Sequence, residues 1–191
     1  MKSFKLISSR FIGWMAAVIL SQAVAVSAVA VQPAGQGTHA SIAAPNSLAL
    51  AIKNVGIKQC ASSLTALSAL GIQGAVNNDV LLDWDRSRPA NSAVFALLAL
   101  DTPVGGAAMT VNAVSEADGS CSVSAERISV APAACEAVAA QELAGYRATP
   151  LLNRITVYTD HNDPGSSVSL FAVKEGCLVI RRFARFNVRN N

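Results

Sequence analysis

The stretch AAMTVNAVSEADGSCSVSAERISV, residues 107–130, decides the fold class. Both ends alternate loosely between apolar and small or polar side chains. Glu116-Ala117-Asp118-Gly119 between them is a turn signal, so the spacing predicts a β-hairpin. On the return strand Cys121, Val123 and Ala125 point to one face, and Ser122, Ser124 and Glu126 to the other.

Working outward, the run over residues 93–100 is apolar throughout. It suits a central strand covered on both faces, although periodicity leaves a buried helix open as an alternative. Before it, Val80-Leu81-Leu82 opens a short strand ending in Asp83-Trp84-Asp85, and residues 86–91, with Pro89, read as a loop. Further upstream, Asn46 or Ser47 caps a helix. Its apolar stripe runs through Leu48, Ile52 and Val55, resumes after Gly56 as Ile57, Cys60, Leu64, Leu67 and Leu70, and stops at Gly71. Downstream, Pro132 suits the first turn of a second helix with Cys135, Val138, Ala139, Leu143 and Tyr146 on its apolar face. Three strands follow, over residues 152–159, 166–173 and 177–186, joined by turns at 160–165 and 174–176.

Strands grouped between helices imply an α+β fold: an antiparallel sheet of about six to seven strands with two main helices packed on one face. No internal repeat and no second core is evident.

The N-terminus has the three parts of a secretory signal peptide. Lys2, Lys5 and Arg10 form a basic region, residues 11–30 are apolar apart from Ser21, Gln22 and Ser27, and Ala28-Val29-Ala30 offers the small residues of a cleavage site. A retained transmembrane helix is the competing reading, because the run approaches the roughly 20 residues that span a bilayer. Residues 31–45 read as a flexible linker that includes His39, and residues 46–191 as a single domain. The sequence therefore predicts a secreted or periplasmic protein with no membrane span after cleavage. The excess of Arg over Lys and the abundance of Ala and Val suit a bacterial source.

Removing the leader also removes the basicity. The whole chain carries a formal charge of +3. That excess is Lys2, Lys5 and Arg10, so the remainder is neutral and gives no reason to expect a nucleic-acid partner. Cys60, Cys121, Cys135 and Cys177 make an even set in an exported chain, which implies two disulfides. A metal site is the alternative, but no C-x-x-C occurs, and neither a metal nor a cofactor is expected. Across the corner between the hairpin and the second helix, Cys121 is expected to pair with Cys135. Cys60 is then left to tie the first helix to the last strand at Cys177.

Three stretches could carry function. Asp83, Trp84 and Asp85 sit at a strand end, where paired carboxylates could divide acid and base roles or hold a hard cation. The plainer reading is that Arg86 and Arg88 neutralise them while Trp84 packs on the core. The C-terminal run contains Arg181, Arg182, Phe183, Arg185 and Phe186, and alternation puts Arg181, Phe183, Arg185 and Arg189 on one side. Basic residues interleaved with aromatics suit an envelope protein or an anionic glycan or lipid surface, or else mark a charged edge strand that deters sheet-to-sheet pairing. Residues 160–165 resemble part of a calcium loop but are too short for an EF-hand, and read better as a hairpin turn.

No nucleophile elbow, phosphate-binding loop or haem motif is present. The leading expectation is an exported, non-catalytic binding or accessory protein of the cell envelope, such as an inhibitor, an immunity factor or an assembly factor. A small hydrolase or metal-dependent enzyme using Asp83 and Asp85 is the first alternative. A structural subunit docking through an edge strand is the second.

Overall fold

A computed structural model describes residues 45–189; the leader and linker read into residues 1–44 lie outside the described residues. Three α-helices, α1 (Ser47–Val55), α2 (Ala61–Gly71) and α3 (Cys135–Glu142), accompany eight strands. The strands are β1 (Asn77–Trp84), β2 (Val94–Thr102), β3 (Gly105–Ser115), β4 (Cys121–Ala131), β5 (Arg147–Pro150), β6 (Ile155–Thr159), β7 (Ser166–Val173) and β8 (Gly176–Val188). They form one sheet in the order β1-β2-β3-β4-β8-β7-β6-β5, and every pairing is antiparallel. The fold is α+β as the pattern predicts, with eight strands among the described residues in place of six to seven and three α-helices in place of two.

Each difference has a local cause. The first helical stripe is split because Gly56 adopts φ +82 and donates its N–H to the carbonyls of Ile52 and Lys53. That left-handed cap ends α1, which Asn46 opens by accepting the N–H of Ala49 at 3.0 Å. The helix ends at Gly71 as predicted, but not through a left-handed cap: Gly71 is the buried last residue of α2, and a Cβ there would occupy the place of the Met109 thioether. It lets α2 approach β3 closely. The eighth strand, β5, is exposed at all four positions and ends in Pro150. It has no apolar period to read, and an edge is where a sheet tolerates proline.

A further correction concerns β2. Its residues alternate strictly between buried and exposed, so the apolar run is covered on one face only. Val94, Ala96, Leu98 and Leu100 join Met109, Val111, Ala113, Val123 and Ala125 beneath α1 and α2. Val138 of α3 and Leu143, which follows the helix, pack with Val168, Leu170, Cys177 and Val179 in a separate cluster. Phe183 of β8 packs against the first cluster, while Cys177 and Val179 of the same strand belong to the second. These three residues share one side of the strand, so both clusters lie on the same face of the sheet.

Two cores and a repeated plan thus replace the expected single core without repeats. In each half a helix precedes a four-stranded meander: α2 with β1–β4, and α3 with β5–β8. A disulfide joins the start of the helix to the start of the last strand in both, Cys60–Cys121 and Cys135–Cys177. The halves meet where β4 pairs with β8 and Glu126 lies opposite Arg182. Each of these residues stands five places beyond the cysteine of its own strand, so the register places the repeat's pseudo-twofold between them.

The disulfide pairing corrects the one read from spacing, Cys121 with Cys135 and Cys60 with Cys177. Cys121 is the first of the eleven residues of β4 and Cys135 lies past its last, and the strand's ends stand roughly 33 Å apart at about 3.3 Å per residue. Cys177 lies opposite Ala131 at the far end of that strand, within reach of Cys135. Cys60 meets Cys121 at the near end. The sequence separations are 61 and 42 residues, so in the chain-entropy account each bridge stabilises by about 4 kcal/mol. Peptide mapping without reduction is expected to return Cys60–Cys121 and Cys135–Cys177 fragments only. Replacing either pair by alanine should lower the unfolding free energy by about 2–5 kcal/mol.

Candidate functional site

The C-terminal basic-aromatic run does not form one face. Alternation along β8 sends Arg181, Phe183 and Arg185 to the helix-bearing side and Arg182 to the other. Phe183 packs against the first core cluster. The Arg185 guanidinium stacks 5.1 Å from its ring centroid and donates to the Asp163 carboxylate. Arg181 donates to Glu142 of α3. Arg182 pairs with Glu126 at 3.4 Å across the central strands. Phe186 remains exposed, and Arg189 follows the end of β8.

The Asp83-Trp84-Asp85 stretch is divided in the same way. Asp83 is exposed on the open side of the edge strand, while the partly buried Trp84 packs against the first core cluster with Arg86 5.1 Å from its ring centroid. Asp85 lies past the strand end and is committed to its own loop. Its carboxylate accepts from the Ser87 hydroxyl at 2.6 Å, the Ser87 N–H at 2.9 Å and Arg88 Nε at 3.1 Å. The Ser87 hydroxyl, then its N–H, then Arg88 hold the Asp85 pKa below the ordinary carboxylate value. A general acid at neutral pH needs the opposite displacement. Among the described residues no group of three or more His, Cys, Asp or Glu is placed to hold a metal ion.

Residues 160–165 form the turn of the β6–β7 hairpin. Asp160 accepts the Asn162 N–H at 2.9 Å, and exposed His161 lies 3.6 Å from the Asp160 carboxylate. Asp163 accepts from the Ser166 hydroxyl and from Arg185, and these two hydrogen bonds, the hydroxyl first, lower its pKa. Asp118 serves the β3–β4 turn in the same way, lowered first by the Ser120 hydroxyl and then by the Ser120 N–H.

The sheet face that bears no described helix carries the feature that the sequence reading missed. Leu81 is 64% exposed, Phe95 54%, Leu97 45% and Phe186 76%. Leu81 lies directly opposite Leu97, and Phe95 lies beside it on β2 opposite Asp83. Asp79, Asp83 and Asp101, all exposed on the same face, border this apolar patch. Between Phe95 and Phe186 the floor drops to Asn112, Ser124 and Ala184, which help line a shallow groove of about 230 Å³. The signal was present as an unbroken apolar strand, but a strand buried on both faces gives the same pattern.

No family model, curated protein or solved structure matches the chain.

The turn carboxylates define a pH dependence. Groups whose folded pKa is depressed stabilise the fold above the ordinary carboxylate pKa of about 3.9, and this contribution is lost as pH falls through the lowered value. Asp163→Asn should therefore melt at a lower temperature than wild type at pH 7. The gap should narrow as both are titrated into acid below the ordinary carboxylate value, as wild-type Asp163 takes up its proton. A gap that persists unchanged in acid contradicts the assignment.

Proposed function

We propose that the protein is an exported, non-catalytic binding protein of the cell envelope that engages a partner protein through the open face of its first meander. The observation that supports this reading is the cluster of Leu81, Phe95 and Leu97. Exposed apolar side chains that adjoin one another and are rimmed by polar groups mark interaction surfaces. The aromatic ring and branched side chains offer large contact area on a strand scaffold that loses little entropy on binding.

The rim sets the partner's chemistry. Asp79, Asp83 and Asp101 favour an apolar surface bordered by Lys or Arg, which guides encounter and orientation more than it adds affinity. This replaces an acidic partner for the Arg-Phe run, whose Arg181, Arg182 and Arg185 are each held by a carboxylate of the chain itself. Two disulfides suit a protein that works in an oxidising compartment, in keeping with a leader over residues 1–30. The enzymatic reading is weaker, since Asp85 is held ionised within its loop.

A photo-crosslinking residue at Phe95 should give a discrete adduct with an envelope protein. The same residue at Leu70, an equally exposed position on α2, should not. Leu81→Lys should abolish the Phe95 adduct while shifting stability by less than about 0.5 kcal/mol, as expected of a surface position. Equal adducts from both positions, or a Phe95 adduct that survives Leu81→Lys, contradict the proposal.

A further inference from the structure

We infer a second binding site on the opposite side of the sheet, in the trough between the β2–β3 turn and Glu142 at the end of α3, for a small organic carboxylate with a short apolar body. Arg127 of β4 and Arg181 of β8 lie directly opposite one another and project to the helix-bearing face. Like charges in such cross-strand positions destabilise a sheet. The Arg181 charge is answered by Glu142, the only carboxylate among the described residues that lines the trough. Arg127 has no ion pair among the described residues, and its Nε is buried with no hydrogen-bond partner.

The repeat shows that the fold does not require this arrangement. Counting from the strand cysteines, Arg127 and Arg181 correspond to Phe183 and Ala125, which also face one another and pack as ordinary core. Ser129 corresponds in the same way to Arg185, whose side chain bonds Asp163 and closes over Gly165. One half of the molecule is thus filled at this level, and the other holds a trough of about 290 Å³.

The walls fit one class of ligand. Ala107, Pro132 and Val179 offer apolar contact, and Ser129 a hydroxyl. A Cβ built on Gly105 or Gly106 would meet no atom within 4 Å, so that end is open for entry. A carboxylate in the trough would meet the Arg127 guanidinium, whose charge no carboxylate among the described residues answers, and would receive charge-assisted hydrogen bonds from it. The volume accommodates a body of several carbons, at the small end of ligand pockets.

The test is an NMR titration of the oxidised full chain with hexanoate, hexanamide and inorganic phosphate at constant ionic strength. Hexanoate is expected to bind and to shift resonances of Arg127 and residues 104–107, with hexanamide at least roughly tenfold weaker. Arg127→Gln should weaken hexanoate by roughly tenfold or more while melting no lower than wild type, because it removes a buried unpaired donor. Ser129→Leu, which fills the trough and leaves both arginines in place, should abolish binding. Three results would overturn the inference: no hexanoate binding by wild type, equal binding by Arg127→Gln, or inorganic phosphate binding as tightly as hexanoate.

Discussion

The pairing of β4 with β8 is the constraint on which the rest of the structure depends. Each half brings its own helix, its own meander and its own disulfide, and the two core clusters are separate. What makes them one sheet is the antiparallel ladder from Val123 opposite Arg185 to Ala131 opposite Cys177. This seam fixes which side chains share a face. It places Arg127 beside Arg181 on the helix-bearing side and Glu126 beside Arg182 on the open side.

The seam also explains why the two faces differ. Helices α1 and α2 cover one half of the inner face and α3 covers the other, so apolar residues there are buried from both halves. The outer face has no described helix, yet its strands β1 and β2 still carry Leu81, Phe95 and Leu97. A sheet of this kind ordinarily turns polar side chains to water. Keeping a phenyl ring and two leucines exposed in adjoining positions calls for a use, and docking is the one that their chemistry supports. The inner trough presents the converse anomaly, a charge where the repeat places core.

Much of this was legible in the sequence because it is local. The hairpin over residues 107–130 followed from alternation and a turn, and α3 from its apolar positions. Asn46 was visible as a helix cap, but Gly56 was read as an interruption of one helix and not as its end. What escaped is non-local. Alternation says which residues share a side of one strand but not which strands are neighbours, so Cys135 was matched to Cys121 of the other half in place of Cys177 of its own. The repeat escaped because the halves agree in register and hardly in sequence, and their cysteines are 61 and 42 residues apart. Burial on one face or two was equally unreadable for β2, and with it went the exposed patch. For the Arg-Phe run, alternation gave Arg181, Phe183 and Arg185 their common side, but it could not foresee that β8 ends before Arg189, nor supply Glu142, Asp163 and Glu126 as partners.

Native-state amide hydrogen exchange tests the seam most directly, because protection follows a strand's place in the sheet and its burial. With β4 and β8 as the central pair, the amides of residues 123–131 and 177–185 should exchange slowest. Those of β1 and β5, the two edges, should exchange fastest among the strands. Rapid exchange along β4 or β8, or slow exchange at β5 matching theirs, would contradict a sheet built from two halves joined at that ladder.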